Sequence, residues 1–465
     1  MGGDLHIVML PWSAFGHMIP FFQLSMALAK AKVHVSYIST PKNIQRLPKI
    51  PPNLAPFLDL VEFPLQPSPE IELLLEGGEA TIDIPFEKAQ YLKVAYDTQM
   101  QNPIREFIAK NSPDWILTDS APYWVADIAQ ELQVKLMVFS VFTAATSVFF
   151  GVGNQLTKEA RDSLTVPPKW VTFPSLVAFK EFQEKYVFAG FYTENASGIS
   201  DSARLAKVLN SCQAVAVRSC NEFEGEYLTL FEKLIGKPVI PVGLLPPEMP
   251  ERRKINDGSW GKIFDWLDKQ NPKSVVFVGF GSECKLSKDQ VFEIAYGLEL
   301  SGLPFVWALR KPSWAIDEQD CLPSGFVDRT SEKGTVCIGW APQVEILAHP
   351  SIGGSLFHGG WGSVIETLQF GHALVILSFI VDQPLNARLL VEKGLAIEVK
   401  TSKDGSFTRD DIAKSLRQAM VLEEGLQLRI RAKEAAALFG DQKLHQDNYM
   451  AAFVRFLQNG VATKI

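Results

Sequence analysis

The sequence predicts an α/β protein of two lobes, each a parallel sheet with helices on its faces. Three observations carry that reading: a strand–loop–helix–strand unit opens the chain, a similar unit begins near residue 274, and a stretch rich in proline and charge separates them. In the first unit HIVML is a strand and PWSAFGHMIP a turn-rich loop. A helix with Ile19, Phe22, Met26 and Ala29 on one stripe follows, then a second strand, VHVSYIST. In the second unit SVVFVGF is a strand, GSECKLS a loop and Ser287 an N-cap. Val291, Ile294, Ala295 and Leu298 then form a buried stripe before the strand FVWAL. The stretch VIPVGLLPPEMPERRKINDGS has the composition of a linker, which places the boundary between Leu244 and Asp257. Past Thr408, an N-cap with Asp411 three residues on, the chain reads as helices to the end. Breaks are expected near Gly425 and Gly440, and a last amphipathic run passes through Met450, Phe453, Val454 and Leu457.

A chain of 465 residues exceeds one compact core and suits two domains. With 47% hydrophobic and 21% charged residues it falls outside disordered or collagenous compositions. A net charge of −7, with both signs interleaved, offers no positive face for a nucleic acid or an anionic membrane. The 5 cysteines are odd in number and never in a CxxC pair, which argues against a disulfide framework or a zinc site and for a reducing, cytoplasmic setting. Leu5 to Leu10 has no basic residues ahead of it and is closed by Pro11, so it reads as a strand rather than a signal peptide. Val134 to Val152 approaches the length of a membrane span, but Ser140, Thr143, Thr146 and Ser147 interrupt it; a buried strand followed by a buried helix is expected.

In parallel sheets ligands bind beyond the C-terminal strand ends, so the loops after strands are where chemistry should sit. His17, at the opening of the first helix, would stand at the mouth of the first sheet as a general base. Asp119 closes the strand in SPDWILTDS and faces the same mouth. A carboxylate on one ring nitrogen fixes the tautomer and stabilises the imidazolium. The alternative for Asp119 is a cap on the next helix. In SLFHGGWGSVIE the glycines at 359, 360 and 362 let backbone amides approach a ligand, and Ser363 lies at a helix N-terminus where a diphosphate would fit. No GxGxxG follows either first strand, and neither a GxxxxGK[ST] loop nor an Asp-any-Asp pair is present. A dinucleotide cofactor, a nucleoside triphosphatase and a bound metal are therefore not expected.

The segment from Trp340 to Gln383, WAPQVEILAHPSIGGSLFHGGWGSVIETLQFGHALVILSFIVDQ, resembles the donor-binding box of plant family 1 UDP-glycosyltransferases. The N-terminal Gly16-His17, the VVFVGFGS strand-loop and the helical tail extend the resemblance to nearly the whole chain. It implies the GT-B architecture, two Rossmann-like domains facing across a cleft: residues 1–245 for the acceptor, 246–440 for the UDP-sugar, and a C-terminal helix within 441–465 packing back on the first domain. Carried over by position, it implies that Trp340 stacks on uracil beside Ala341, that Gln343 lies against the nucleoside, and that Glu366 takes the ribose hydroxyls. It further implies that His358, Ser363 and Ser282 hold the diphosphate, with Thr143 reaching it from the opposite lobe. Trp361, Asp382 and Gln383 would face the transferred sugar. His17 and Asp119 occupy the base and orienting positions of the family. Two positions depart from its pattern: Gly359 stands where Cys is usual, and Gly362 where an Asn side chain would meet the phosphates and sugar.

The reaction this implies is inverting, metal-independent transfer from a UDP-sugar, with glucose favoured by Gln383 and rhamnose as the alternative donor. Stretches such as ISTPKNIQRLP and LELSGLPFVWALRKP resemble the branch that extends sugar chains on terpenoid, steroid or flavonoid glycosides. The acceptor hydroxyl would then belong to a sugar already attached to an apolar aglycone. Trp12, Phe15, Tyr123, Trp124, Phe142 and Phe150 are candidates for the acceptor wall. A monomer is expected. Two rival readings differ in class: a non-catalytic small-molecule-binding protein, and an enzyme acting on the nucleotide sugar alone, such as an epimerase.

Overall fold

A computed structural model of the chain describes residues 5–66, 77–249 and 258–460. Short apolar runs form two sheets whose strands all pair in parallel. In the first lobe β1 (His6–Leu10), β2 (His34–Ser39), β3 (Leu58–Glu62), β4 (Trp115–Thr118), β5 (Lys135–Ser140), β6 (Ala214–Val217) and β7 (Val239–Pro241) lie in the order 3-2-1-4-5-6-7. The second lobe holds β8 (Val275–Gly279), β9 (Phe305–Leu309), β10 (Gly334–Ile338), β11 (Ile352–Phe357), β12 (Ala373–Ile376) and β13 (Ala396–Glu398), in the order 10-9-8-11-12-13. Helices cover both faces, which is why runs such as VVFVG are buried along their whole length instead of alternating. These are the two Rossmann-like domains of the expected GT-B architecture.

Chain order reverses between β1 and β4 in the first sheet and between β8 and β11 in the second. At such a point neighbouring loops diverge to opposite faces and leave a crevice beyond the strand ends. The loop after β1 runs only from Pro11 to Ala14, because helix α1 (Phe15–Lys30) starts earlier than the turn-rich composition suggested. Of the expected stripe on α1, Phe22 and Ala29 are buried while Ile19 and Met26 are only partly so, and Phe21, Leu24 and Leu28 are buried as well. The caps follow the sequence reading. The Ser287 side chain accepts from the Gln290 N–H, and that of Thr408 from the Asp411 N–H.

The expected linker is shorter than its composition implied. Its first residues form β7, the edge strand of the first sheet, and Gly258 begins a helix ending at Leu267; residues 250–257 lie outside the described chain. The apolar Val134–Val152 stretch supplies β5 and the helix Ala144–Phe150. Among the described residues no helix is long and apolar enough to cross a membrane. The helix Met450–Asn459 returns to the first lobe, where Met450, Phe453, Phe456 and Leu457 join the core around Ile7, Phe21, Trp115 and Phe139. Phe456 lies deeper than the expected Val454, which packs only at the edge of this core. The Trp115 indole N–H donates to the Leu457 carbonyl at 2.9 Å, which fixes the seat.

Candidate active site

The switch point of the first sheet brings His17 and Asp119 together. His17 lies in the first turn of α1 and Asp119 follows the last residue of β4. His17 Nδ1 and Asp119 Oδ2 are 2.9 Å apart. Asp119 is held by backbone: Trp12 N–H donates to Oδ2 at 2.6 Å, and Ala121 N–H to Oδ1 at 2.9 Å. It does not cap the next helix, which begins only at Val125 with Trp124 at the N-cap. With the carboxylate accepting from Nδ1–H, Nε2 keeps its lone pair, the arrangement a general base needs. Burial disfavours the imidazolium, but the hydrogen bond and charge of Asp119, with Glu283 and Asp382 nearby, outweigh it and raise the His17 pKa above 6.5.

In the second lobe the loops after β8 and β11 supply Ser282 and His358, and the helix Trp361–Leu368 starts directly beyond them. Gly281 turns the first of these loops at φ +69°, and a Cβ there would meet the His358 ring at 3.0 Å. Burial lowers His358 to about 4, so the ring is neutral, and among the described residues its Nδ1 has no hydrogen-bond partner. Gly359 adopts φ +89°, with Ile376 Cγ2 2.9 Å from where a Cβ would lie; that crowding rationalises glycine in place of the usual Cys. Gln343 donates to Glu366 Oε2 at 2.6 Å. Burial raises the Glu366 carboxyl, while this hydrogen bond and the charge of Arg218 pull it down. Trp340 is 77% exposed, its ring edge-on to Trp260, and Ala341 is partly buried behind it. The indole is thus free to receive a flat base.

Several contacts join the lobes. Glu283, next to Ser282, accepts from the Phe15 N–H at 2.7 Å and from the Thr81 hydroxyl at 3.0 Å, so a carboxylate from the second lobe caps α1 of the first. Thr143, fully buried, lies 3.3 Å from the Asn386 side-chain carbonyl oxygen. Asn386 in turn donates to the Gly359 carbonyl at 3.0 Å and to Asp382 Oδ2 at 2.7 Å. Burial raises Asp382, with the Asn386 hydrogen bond opposing the shift. The side-chain carbonyl of Gln383 accepts from the Phe379 and Ile380 N–H groups, both at 3.1 Å.

The structure corrects several expectations. The Trp361 indole does not face a sugar: it is 3% exposed, stacks on Phe223 and donates to the Arg218 carbonyl at 2.8 Å. Trp124 is not an acceptor wall either; it is buried and its N–H donates to Asp97. Tyr123 lies under the Arg204 and Lys207 cations, and Trp12 is a buried core residue that meets Asp119 through its backbone. Phe150 belongs to an aromatic cluster with Phe149, Phe179 and Phe191. Phe142 is the candidate aromatic in contact with the base, its ring edge-on to His17 at 5.4 Å. Phe15 is partly exposed beside it at the start of α1.

Sequence reasoning missed Glu283, Asn386 and Arg218. Each left a trace: a charge directly after Ser282, an amide in DQPLNARLL, and a lone cation at the C-terminal end of the apolar strand VAV.

Comparison with known proteins bears on the same region. A family model described as UDP-glucoronosyl and UDP-glucosyl transferase matches residues 262–425. UDP-glycosyltransferase 91A1 of Arabidopsis thaliana is 42% identical over 462 residues, covering 98% of this chain and 97% of that protein. Soyasaponin III rhamnosyltransferase of Glycine max is also 42% identical, over 459 residues, covering 98% of this chain and 95% of its own. Among solved structures, UGT73P12 of Glycyrrhiza uralensis complexed with glycyrrhetinic acid 3-O-monoglucuronide superposes with a TM-score of 0.80 at 22% identity, covering 98% of this chain and 96% of that one. At that identity the likeness is one of fold.

Proposed function

Because the chain belongs to the UDP-glycosyltransferase family, we propose that it transfers a sugar from a UDP-sugar, with inversion, to a hydroxyl of a small apolar natural product or to the sugar of its glycoside. The observation that carries this reading is the His17–Asp119 pair at the first switch point, opposite the helix start at Trp361 on the second. In the reaction His17 Nε2 takes the acceptor proton as the oxygen attacks the anomeric carbon. The bond to UDP breaks on the opposite face, its electron pair leaves with the diphosphate, and the configuration inverts. Asp119 balances the imidazolium that forms. General-base assistance of this kind contributes about 10²- to 10⁴-fold. The remainder falls to positioning and to stabilisation of the leaving diphosphate by amides, His358, Ser363 and Ser282. No metal is needed in this scheme.

In this reading residues 1–245 bind the acceptor and 246–440 the donor, while the C-terminal helix ties the tail back to the first lobe; the protein works as a cytoplasmic monomer. Glu366 takes the ribose hydroxyls and Trp340 the uracil, with Gln343 against the nucleoside; Asp382 and Gln383 lie toward the sugar. Glucose is the favoured donor. Rhamnose is the second reading, supported by the Glycine max relative's name and by Gly362, which lacks the side chain expected beside the sugar.

The test is incubation of purified protein with UDP-glucose and, separately, UDP-rhamnose over terpenoid and flavonoid aglycones and their glucosides, with product mass as readout. A hexose or deoxyhexose gained on a glucoside identifies the donor and the chain-extending activity together. Transfer only to aglycones would discard chain extension, and UDP release without any glycoside would favour an enzyme acting on the nucleotide sugar alone. His17→Ala should lose transfer and still bind UDP; near-normal turnover would remove His17 from the mechanism.

A further inference from the structure

We propose that Arg218 is a donor-binding residue whose guanidinium reaches the diphosphate of the UDP-sugar through the space that Gly362 leaves open. The proposal rests on the donor-site reading above and adds a residue from the opposite lobe. Arg218 follows β6 and is 2% exposed. Its Nε donates to the Leu244 carbonyl at 2.9 Å and its Nη2 to the Leu245 carbonyl at 3.3 Å. Leu245 adopts φ +51°, a conformation unfavourable for leucine, in the turn that presents these carbonyls. Among the described residues Nη1 has no hydrogen-bond partner, and no carboxylate forms a salt bridge with this guanidinium.

The direction of Nη1 points to a ligand. A Cβ built on Gly362 would have one heavy-atom neighbour within 4 Å, Arg218 Nη1 at 3.6 Å. Gly362 lies in the first turn of the helix Trp361–Leu368, whose unpaired N–H groups carry partial positive charge. The backbone is locked in register, because the Arg218 carbonyl accepts from the Trp361 indole at 2.8 Å. A buried cation held by neutral carbonyls and aimed at the positive end of a helix is poorly compensated; Glu366 acts on it only as a charge at longer range. Burial lowers the guanidinium to about 10, so it stays charged at neutral pH. An anion between Nη1 and the helix start satisfies both groups at once, and a diphosphate has the oxygens to accept from each. Arginine thereby takes over the contact that an amide at position 362 would make.

Titration calorimetry with UDP and with uridine separates this role from a structural one, since the two ligands differ only in the diphosphate. In folded Arg218→Gln, UDP affinity should fall about tenfold, the loss of one charge-assisted contact, while uridine affinity stays unchanged. Adding Gly362→Asn to that variant should restore UDP affinity to within about threefold of wild type by supplying the amide in place of the guanidinium. A fall for UDP smaller than threefold, or an equal fall for UDP and uridine, overturns the proposal. If Arg218→Gln does not fold, Arg218→Lys keeps the charge and must keep the preference for UDP over uridine; loss of that preference is likewise fatal. A wild-type protein that does not bind UDP at all removes the donor-site reading itself.

Discussion

At the scale of single residues, chemistry depends on which protonation states burial and neighbours permit. As the proposed base, His17 must be neutral to accept a proton, and Asp119 raises its pKa, so activity should climb with pH through a limb above 6.5. Asp119→Asn removes the hydrogen bond to a charge and the charge itself, which lowers that pKa. The limb should move to lower pH while the plateau drops, as kcat/KM against pH will show; an unmoved limb would separate Asp119 from the base. Glu366→Ala tests the ribose contact. It should weaken UDP and uridine alike, by roughly 1.5–3 kcal/mol for a lost hydrogen bond to a charged group, in contrast to Arg218, whose effect is confined to the diphosphate.

At the scale of elements, the two strand-to-helix turns do most of the positioning. Gly281 has both positive φ and the His358 ring against it, so Gly281→Ala strains the backbone and pushes the ring from its seat. A stability loss of about 1–3 kcal/mol in urea titration, with weaker UDP binding, is expected. Stability and affinity both unchanged would mean that the turn is not what holds His358. The turn after β11 was legible as a glycine-rich loop and that after β8 simply as a loop, and the caps at Ser287 and Thr408 as side chains before helical periodicity. The start of α1 was not, because Phe15, Gly16 and Pro20 read as loop residues one by one, while burial of the helix against β1 and β2 decides the matter.

At the scale of the whole molecule, the candidate active site is assembled by holding two sheets mouth to mouth. Glu283 on the α1 N-terminus, Asn386 against Thr143, and Trp361 on the Arg218 carbonyl join residues far apart in sequence. The tail works in the same way, since Phe453 sits fully buried in the first-lobe core although it belongs to the last described helix. Phe453→Ala should cost about 3–5 kcal/mol, the range for emptying a buried aromatic site. Thermal unfolding monitored near Trp115 reports this directly, and a melting temperature equal to wild type would detach the tail from the lobe's stability.

The sequence by itself determined the α/β class and the two-lobe plan, because apolar periodicity and glycine-rich turns are local signals carried in contiguous residues, and the resemblance of the stretch from Trp340 to Gln383 nominated the candidate donor-site residues. It also marked His17 and Asp119 as residues at strand ends. Tertiary structure alone decided that these two touch, that Trp361 and Trp124 serve the core, and that a carboxylate and a guanidinium cross between the lobes. The physical reason is that burial and charge compensation are set by neighbours brought from distant segments. A tryptophan facing a ligand and one facing a core have the same local sequence signature; only the groups packed around each tell them apart.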